Sequence, residues 1–148
     1  MTLPRGRPAP THPRLPGWPE RLAEAVDAAR SRPFAWGEHD CGLWARSVAL
    51  ALTGQDPAPW LTGYADEDEL VLLLDLRGGL EDAVAAAMAE FGAPEIRPVF
   101  AQRGDWAVVR VGNETAVGVV LDADRIAVPG AERLQAVPRR HALRAWAV

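Results

Sequence analysis

Phe34-Ala35-Trp36-Gly37-Glu38-His39-Asp40-Cys41 is the stretch from which the rest of the chain is read. Asp40 is a good helix N-cap: its carboxylate can accept from the free amides of a first turn. Trp44, Val48 and Leu52 follow at helical spacing, so a helix is expected from about Cys41 to Leu52, with Gly54 as its stop. Cys41 then sits in the first turn, where unpaired N–H groups favour a thiolate. It is the only cysteine in the chain. A lone thiol so placed is a candidate nucleophile; it is equally a candidate small core residue, as free cysteines often are.

Upstream, residues 1–19 carry six prolines, at positions 4, 8, 10, 13, 16 and 19, and cannot form a helix. This segment is either a disordered tail or an arm that docks on a neighbouring subunit. Residues 20–148 read as one domain. Pro19 suits the first position of a helix carrying Leu22, Ala25, Val26 and Ala29, which Ser31-Arg32-Pro33 ends. Downstream, Asp66-Glu67-Asp68-Glu69 caps a third helix ending near Leu76, and Leu80 to Phe91 forms a fourth. The pattern then changes. Trp106 to Val111 and Ala116 to Leu121 flank Gly112-Asn113 and predict a hairpin, and Arg125 to Val128, Leu134 to Val137 and His141 to Val148 predict three more strands. Helices first and strands later give an α+β domain whose N-terminal helices pack on a C-terminal antiparallel sheet.

Composition narrows the function. The chain has 148 residues, 49% of them apolar, and a formal net charge of −4. No basic stripe points to nucleic acid, and no apolar run reaches the length of a membrane span. One cysteine excludes an internal disulfide framework and a multi-cysteine zinc site, and the acidic run at 66–69 lacks the spacing of a calcium loop, so no metal or other cofactor is expected. No secretory signal is read at the N-terminus, so synthesis in a reducing bacterial cytoplasm is expected. All sixteen basic residues are arginine, which with the abundant Ala, Gly and Pro suggests a high-GC bacterial or phage coding sequence.

An Asp-Cys pair opening a helix, then Gly104-Asp105-Trp106, then Ala116-Val117-Gly118-Val119-Val120, resembles the NlpC/P60 group of papain-like cysteine peptidases. A closer resemblance is to small phage, prophage and gene-transfer-agent tail-cluster proteins. They share a Phe-x-Trp-Gly-x-x-Asp-Cys start, here residues 34–41, and a Thr-Gly-x-Asp-Pro segment, here Thr53 to Pro57. The resemblance covers roughly residues 30–148 and implies a papain-like fold. It also implies a component at a phage-type tail tip, where related enzymes cut peptidoglycan peptides.

In the peptidases a His-Val-Gly-type strand supplies the general base; here that position is Ala116, whose methyl accepts no proton. The three histidines are His12, His39 and His141, and His39, two residues before the thiol, is the one candidate beside Cys41. The resemblance thus leaves two readings: a catalytically impaired binding component resident in the virion tail, or a working cysteine amidase or endopeptidase. Its partners would be tail-tip or hub proteins, and peptidoglycan for the enzyme. Among six tryptophans, Trp36, Trp44, Trp106 and Trp146 read as core, and Trp18 and Trp60, in Pro-rich loops, as partner contacts.

Overall fold

The computed structural model describes residues 2–148. Four helices, α1 Trp18–Ala29, α2 Cys41–Thr53, α3 Glu67–Asp75 and α4 Leu80–Phe91, precede six strands. These are β1 Glu95–Ile96, β2 Trp106–Val111, β3 Glu114–Val120, β4 Arg125–Pro129, β5 Leu134–Pro138 and β6 Ala142–Trp146. Short 3-10 helices at Pro98–Phe100 and Arg139–His141 lie before β2 and β6. All pairings are antiparallel, in the order β1-β6-β2-β3-β4-β5. The α+β architecture expected from the sequence is the one observed.

The helices start where capping groups wait. Asp40 accepts from the Leu43 amide and Asp66 from the Glu69 amide, and Gly54, at φ 75°, closes α2. The β2–β3 hairpin turns at Gly112-Asn113, where Gly112 supplies the positive φ. Two details differ from expectation. Trp18, placed in a loop by the proline count, is the first residue of α1, with Pro19 behind it in the first turn. Strand β1 went unpredicted because its two residues hold their place through Trp146 and Ala145 of β6, some fifty positions away in sequence, and not through any local pattern.

The sheet is buried on both faces. Trp106, Val108, Val117 and Val119 meet Leu22, Val48, Leu52 and Met88 of the helices, while Ala107, Val109, Val120 and Ile126 join Ile96, Val137 and Ala145 on the opposite face. This explains why the strands read as continuous apolar runs and not as alternation. Gly118 has a packing reason: a Cβ there would stand 2.7 Å from the Ala127 carbonyl oxygen across the β3–β4 pair. Trp44, Trp106 and Trp146 are core, as expected. Trp36 is only half-buried, its ring edge-on to Phe34 at 4.6 Å between centroids.

The proline-rich arm lies along its own domain. The Thr11 amide donates to the Gly92 carbonyl and the Leu15 amide to the Leu52 carbonyl, at the ends of α4 and α2. Arg7 donates from Nε and Nη2 to the Asp105 carboxylate, both at 2.8 Å, and Arg14 Nη2 joins them at 2.9 Å. Arg7 and Arg14 also reach the Val148 carbonyl at 3.0 and 2.8 Å. Asp105 also accepts from the Gln102 amide in the turn into β2, so one carboxylate both caps that turn and anchors the arm.

Candidate functional site

Cys41 is the first residue of α2. It packs against both core clusters, so the thiol stands at the seam between helix and sheet. Ala116 packs against the second of these clusters, and its neighbour Val117 lines one cavity together with Cys41.

The residue as a whole is half-buried, but its sulfur is enclosed. Burial is the largest influence and pushes the thiol up to about 11 from 9.0. The neighbouring Asp40 carboxylate acts in the same direction, while the N–H groups of Val117, Gly42 and Cys41 itself pull the other way without winning. No imidazole is among the groups acting on the thiol. At neutral pH the site holds a thiol, not a thiolate.

The three histidines stand in different surroundings. His39 is 2% exposed, and its backbone is tied to Ala35 by a two-way bridge at 3.0 and 2.8 Å. Its Nε2 meets no partner among the described residues. Burial, then the Arg32 charge, lowers its pKa, so the ring is neutral. His12 lies 4.8 Å, centroid to centroid, from the Phe91 ring. His141 is exposed, in the 3-10 helix before β6.

Asp40 does more than cap. Its Oδ1 accepts from Leu43 at 2.9 Å; its Oδ2 accepts from Gly37 at 3.1 Å and from the Tyr64 hydroxyl at 2.5 Å. Burial, then the bond to Asp40, raises the Tyr64 pKa. Gly37 is required by this packing: at φ 75° its missing Cβ would stand 2.4 Å from the Tyr64 carbonyl oxygen. Tyr64 is the site residue that sequence reasoning missed. A lone tyrosine in a loop, 24 positions from its carboxylate, carries no local signal.

Beside the thiol lies a cavity of about 40 Å³ with apolar walls from Leu61, Leu70, Leu74, Val84 and Val117. Trp60 and Trp106 also line it, and the Trp106 indole N–H has no acceptor among the described residues. The two tryptophans named as partner contacts are each half-buried under a guanidinium: Arg77 stands 3.8 Å from the Trp60 ring centroid and Arg14 stands 4.3 Å from that of Trp18. Among the described residues no group of three His, Cys, Asp or Glu side chains could hold a metal ion, and no helix is long and apolar enough to cross a membrane.

The fold is that of an NlpC/p60 domain. The crystal structure of the NlpC/p60 domain of peptidoglycan hydrolase SagA superposes with a TM-score of 0.57 over 87% of this chain and 97% of that one, at 16% sequence identity. At that identity the likeness is one of fold. No curated protein matches the sequence. The family described as a domain of unknown function, DUF6950, matches residues 13–148, and the chain belongs to that family.

Proposed function

We propose that this chain is a binding or structural component of a phage-type tail, built on an NlpC/P60-like scaffold and without efficient hydrolytic power. One observation carries the catalytic half of this reading. The thiol that should attack is raised to about 11 by burial, and the strand position that should hold its base is Ala116. Acyl transfer by cysteine needs a general base in reach, and no imidazole acts on Cys41. The tail placement rests on the motif order from Phe34 to Val119 described above. Tail-tip or hub proteins are its partners, and the half-exposed Trp18 and Trp60 are the contacts proposed for them.

The test has two arms. Purified peptidoglycan incubated with wild type and Cys41→Ala should give the same absence of product; product from the wild type alone overturns the non-hydrolytic reading. Recombinant hub subunits should capture the chain, and mass spectrometry should find it in virions. Failure of both removes it from the tail.

A second reading, an active cysteine amidase or endopeptidase, has one observation in its favour. The N–H groups of Val117, Gly42 and Cys41 all lower the thiol's pKa, and donors of that kind are what a developing oxyanion needs. On this reading His39 is the only base near in sequence, and turnover must fall in both Cys41→Ala and His39→Ala.

A further inference from the structure

Helix α3 has apolar residues on every side. Leu70 and Leu73 turn inward to pack around Leu61 and Tyr64, yet no residue of the helix is buried. Its outer side carries Val71, Leu72 and Leu76, which are 45%, 68% and 85% exposed. Asp68, Val71, Leu72, Asp75 and Leu76 fall at i, i+3, i+4, i+7 and i+8, so they form one stripe. Asp68 and Asp75 are exposed, and neither has a salt-bridge partner among the described residues. The result is a convex ridge, apolar along its crest with a carboxylate towards each end. An apolar stripe of this kind on a short helix is ordinarily covered.

The opposite relief exists on the same chain. Between the two 3-10 helices runs an open groove of about 670 Å³. Its walls include Pro98, Val99, Phe100 and Ala142, and its cations are Arg139 and Arg140. No carboxylate lines it. Val99 is 75% exposed, and Leu143 beside it 42%. The Arg139 guanidinium donates to the carbonyls of Pro98 and Ala101. Arg140 is exposed and has no salt-bridge partner among the described residues.

We propose that the α3 ridge of one copy of this chain seats in the groove between the 3-10 helices of a second copy. Shape and charge both match: a convex acidic-apolar helix face meets a concave basic-apolar cleft. The contact is heterologous, so each added copy leaves one free ridge and one free groove, and the assembly closes into a ring or runs on. The contact area of a single helix face puts the pairing in the transient class, dependent on concentration and salt. This inference is independent of whether Cys41 is active.

Sedimentation equilibrium of the full chain over a concentration series should show the weight-average mass rising above that of one chain, less steeply at high salt. The ridge variant Asp68→Arg with Asp75→Arg, and the groove variant Arg140→Glu, each alter exposed residues, and circular dichroism checks that each folds. Each alone should weaken association by about tenfold or more. Mixing the two variants should restore association, because the unaltered ridge of the groove variant meets the unaltered groove of the ridge variant. A wild type that stays monomeric throughout overturns the proposal. So does association that one variant weakens and the other leaves intact, since that describes a symmetric contact. A mixture that fails to recover overturns it as well.

Discussion

Cys41 and Asp105 are two buried ionisable groups, each at the start of an element that meets the core, and the fold treats them in opposite ways. Asp105 is fully buried and accepts five hydrogen bonds, three from the Arg7 and Arg14 guanidinia and two from the Gln102 and Val148 amides. Cys41 has only backbone amides facing its sulfur and a carboxylate at its side. A buried charge persists where charged donors surround it, and a buried thiol favoured by backbone amides alone stays neutral. The charge-stabilising chemistry of this molecule therefore lies at the arm clasp, not at Cys41.

The contrast is most exposed to test at Asp105. Asp105→Asn leaves two guanidinia without their counter-charge and is expected to cost about 3–5 kcal/mol in urea unfolding, the range for breaking a buried ion pair. A cost near that of an ordinary surface change would remove the contrast. The thiol comes next. Alkylation of Cys41 by iodoacetamide at pH 7 should run on the order of 100-fold slower than in the denatured chain, the ratio of thiolate expected from about 11 against 9.0. Its rate should climb steadily with pH towards 11. Fast labelling at neutral pH would make the two regions alike. Because the folded value is the raised one, the native state holds its proton longer; this contribution to stability is full below pH 9.0 and is lost between 9.0 and about 11.

Tyr64→Phe should cost about 1.5–3 kcal/mol, since it removes a bond to the buried Asp40 carboxylate. Chemical denaturation measures it, and the same variant shows whether Asp40 needs outside support as Asp105 does. The smallest effect is expected at His39. Its folded pKa lies below 6.5, so the neutral ring contributes stability above pH 6.5 that is lost as the pH falls. His39→Asn should flatten the acid side of the stability–pH curve. If it does not, burial of that ring is not what sets its protonation.

Much of the fold was legible because its signals are local. Asp40, Asp66 and Gly54 mark helix ends within a few residues of the amides and carbonyls they serve, and Gly112-Asn113 marks a turn between two valine-rich runs. That the N-terminal helices pack on the β2–β3 hairpin was legible from helices preceding strands in the sequence. What escaped depends on contacts distant in sequence. The clasp joins Arg7 and Arg14 to Asp105 across 98 and 91 positions, and nothing in six prolines says where an extended arm will lie. Tyr64 and β1 escaped for the same reason. The run from Asp66 to Glu69 read as a solvated helix start, which it is, but the exposed leucines that follow it are a property of what α3 leaves uncovered, and periodicity alone does not report that.

The clasp has a consequence for engineering. Residue 7 and residue 148 share hydrogen bonds around one carboxylate, so the two stretches of backbone lie within reach of a short flexible linker. A circularly permuted chain that joins them and opens at the exposed Gly112-Asn113 turn would carry every strand pairing intact. In such a molecule the arginine-rich segment becomes an internal loop tethered at both ends, and the entropy of ordering it falls accordingly.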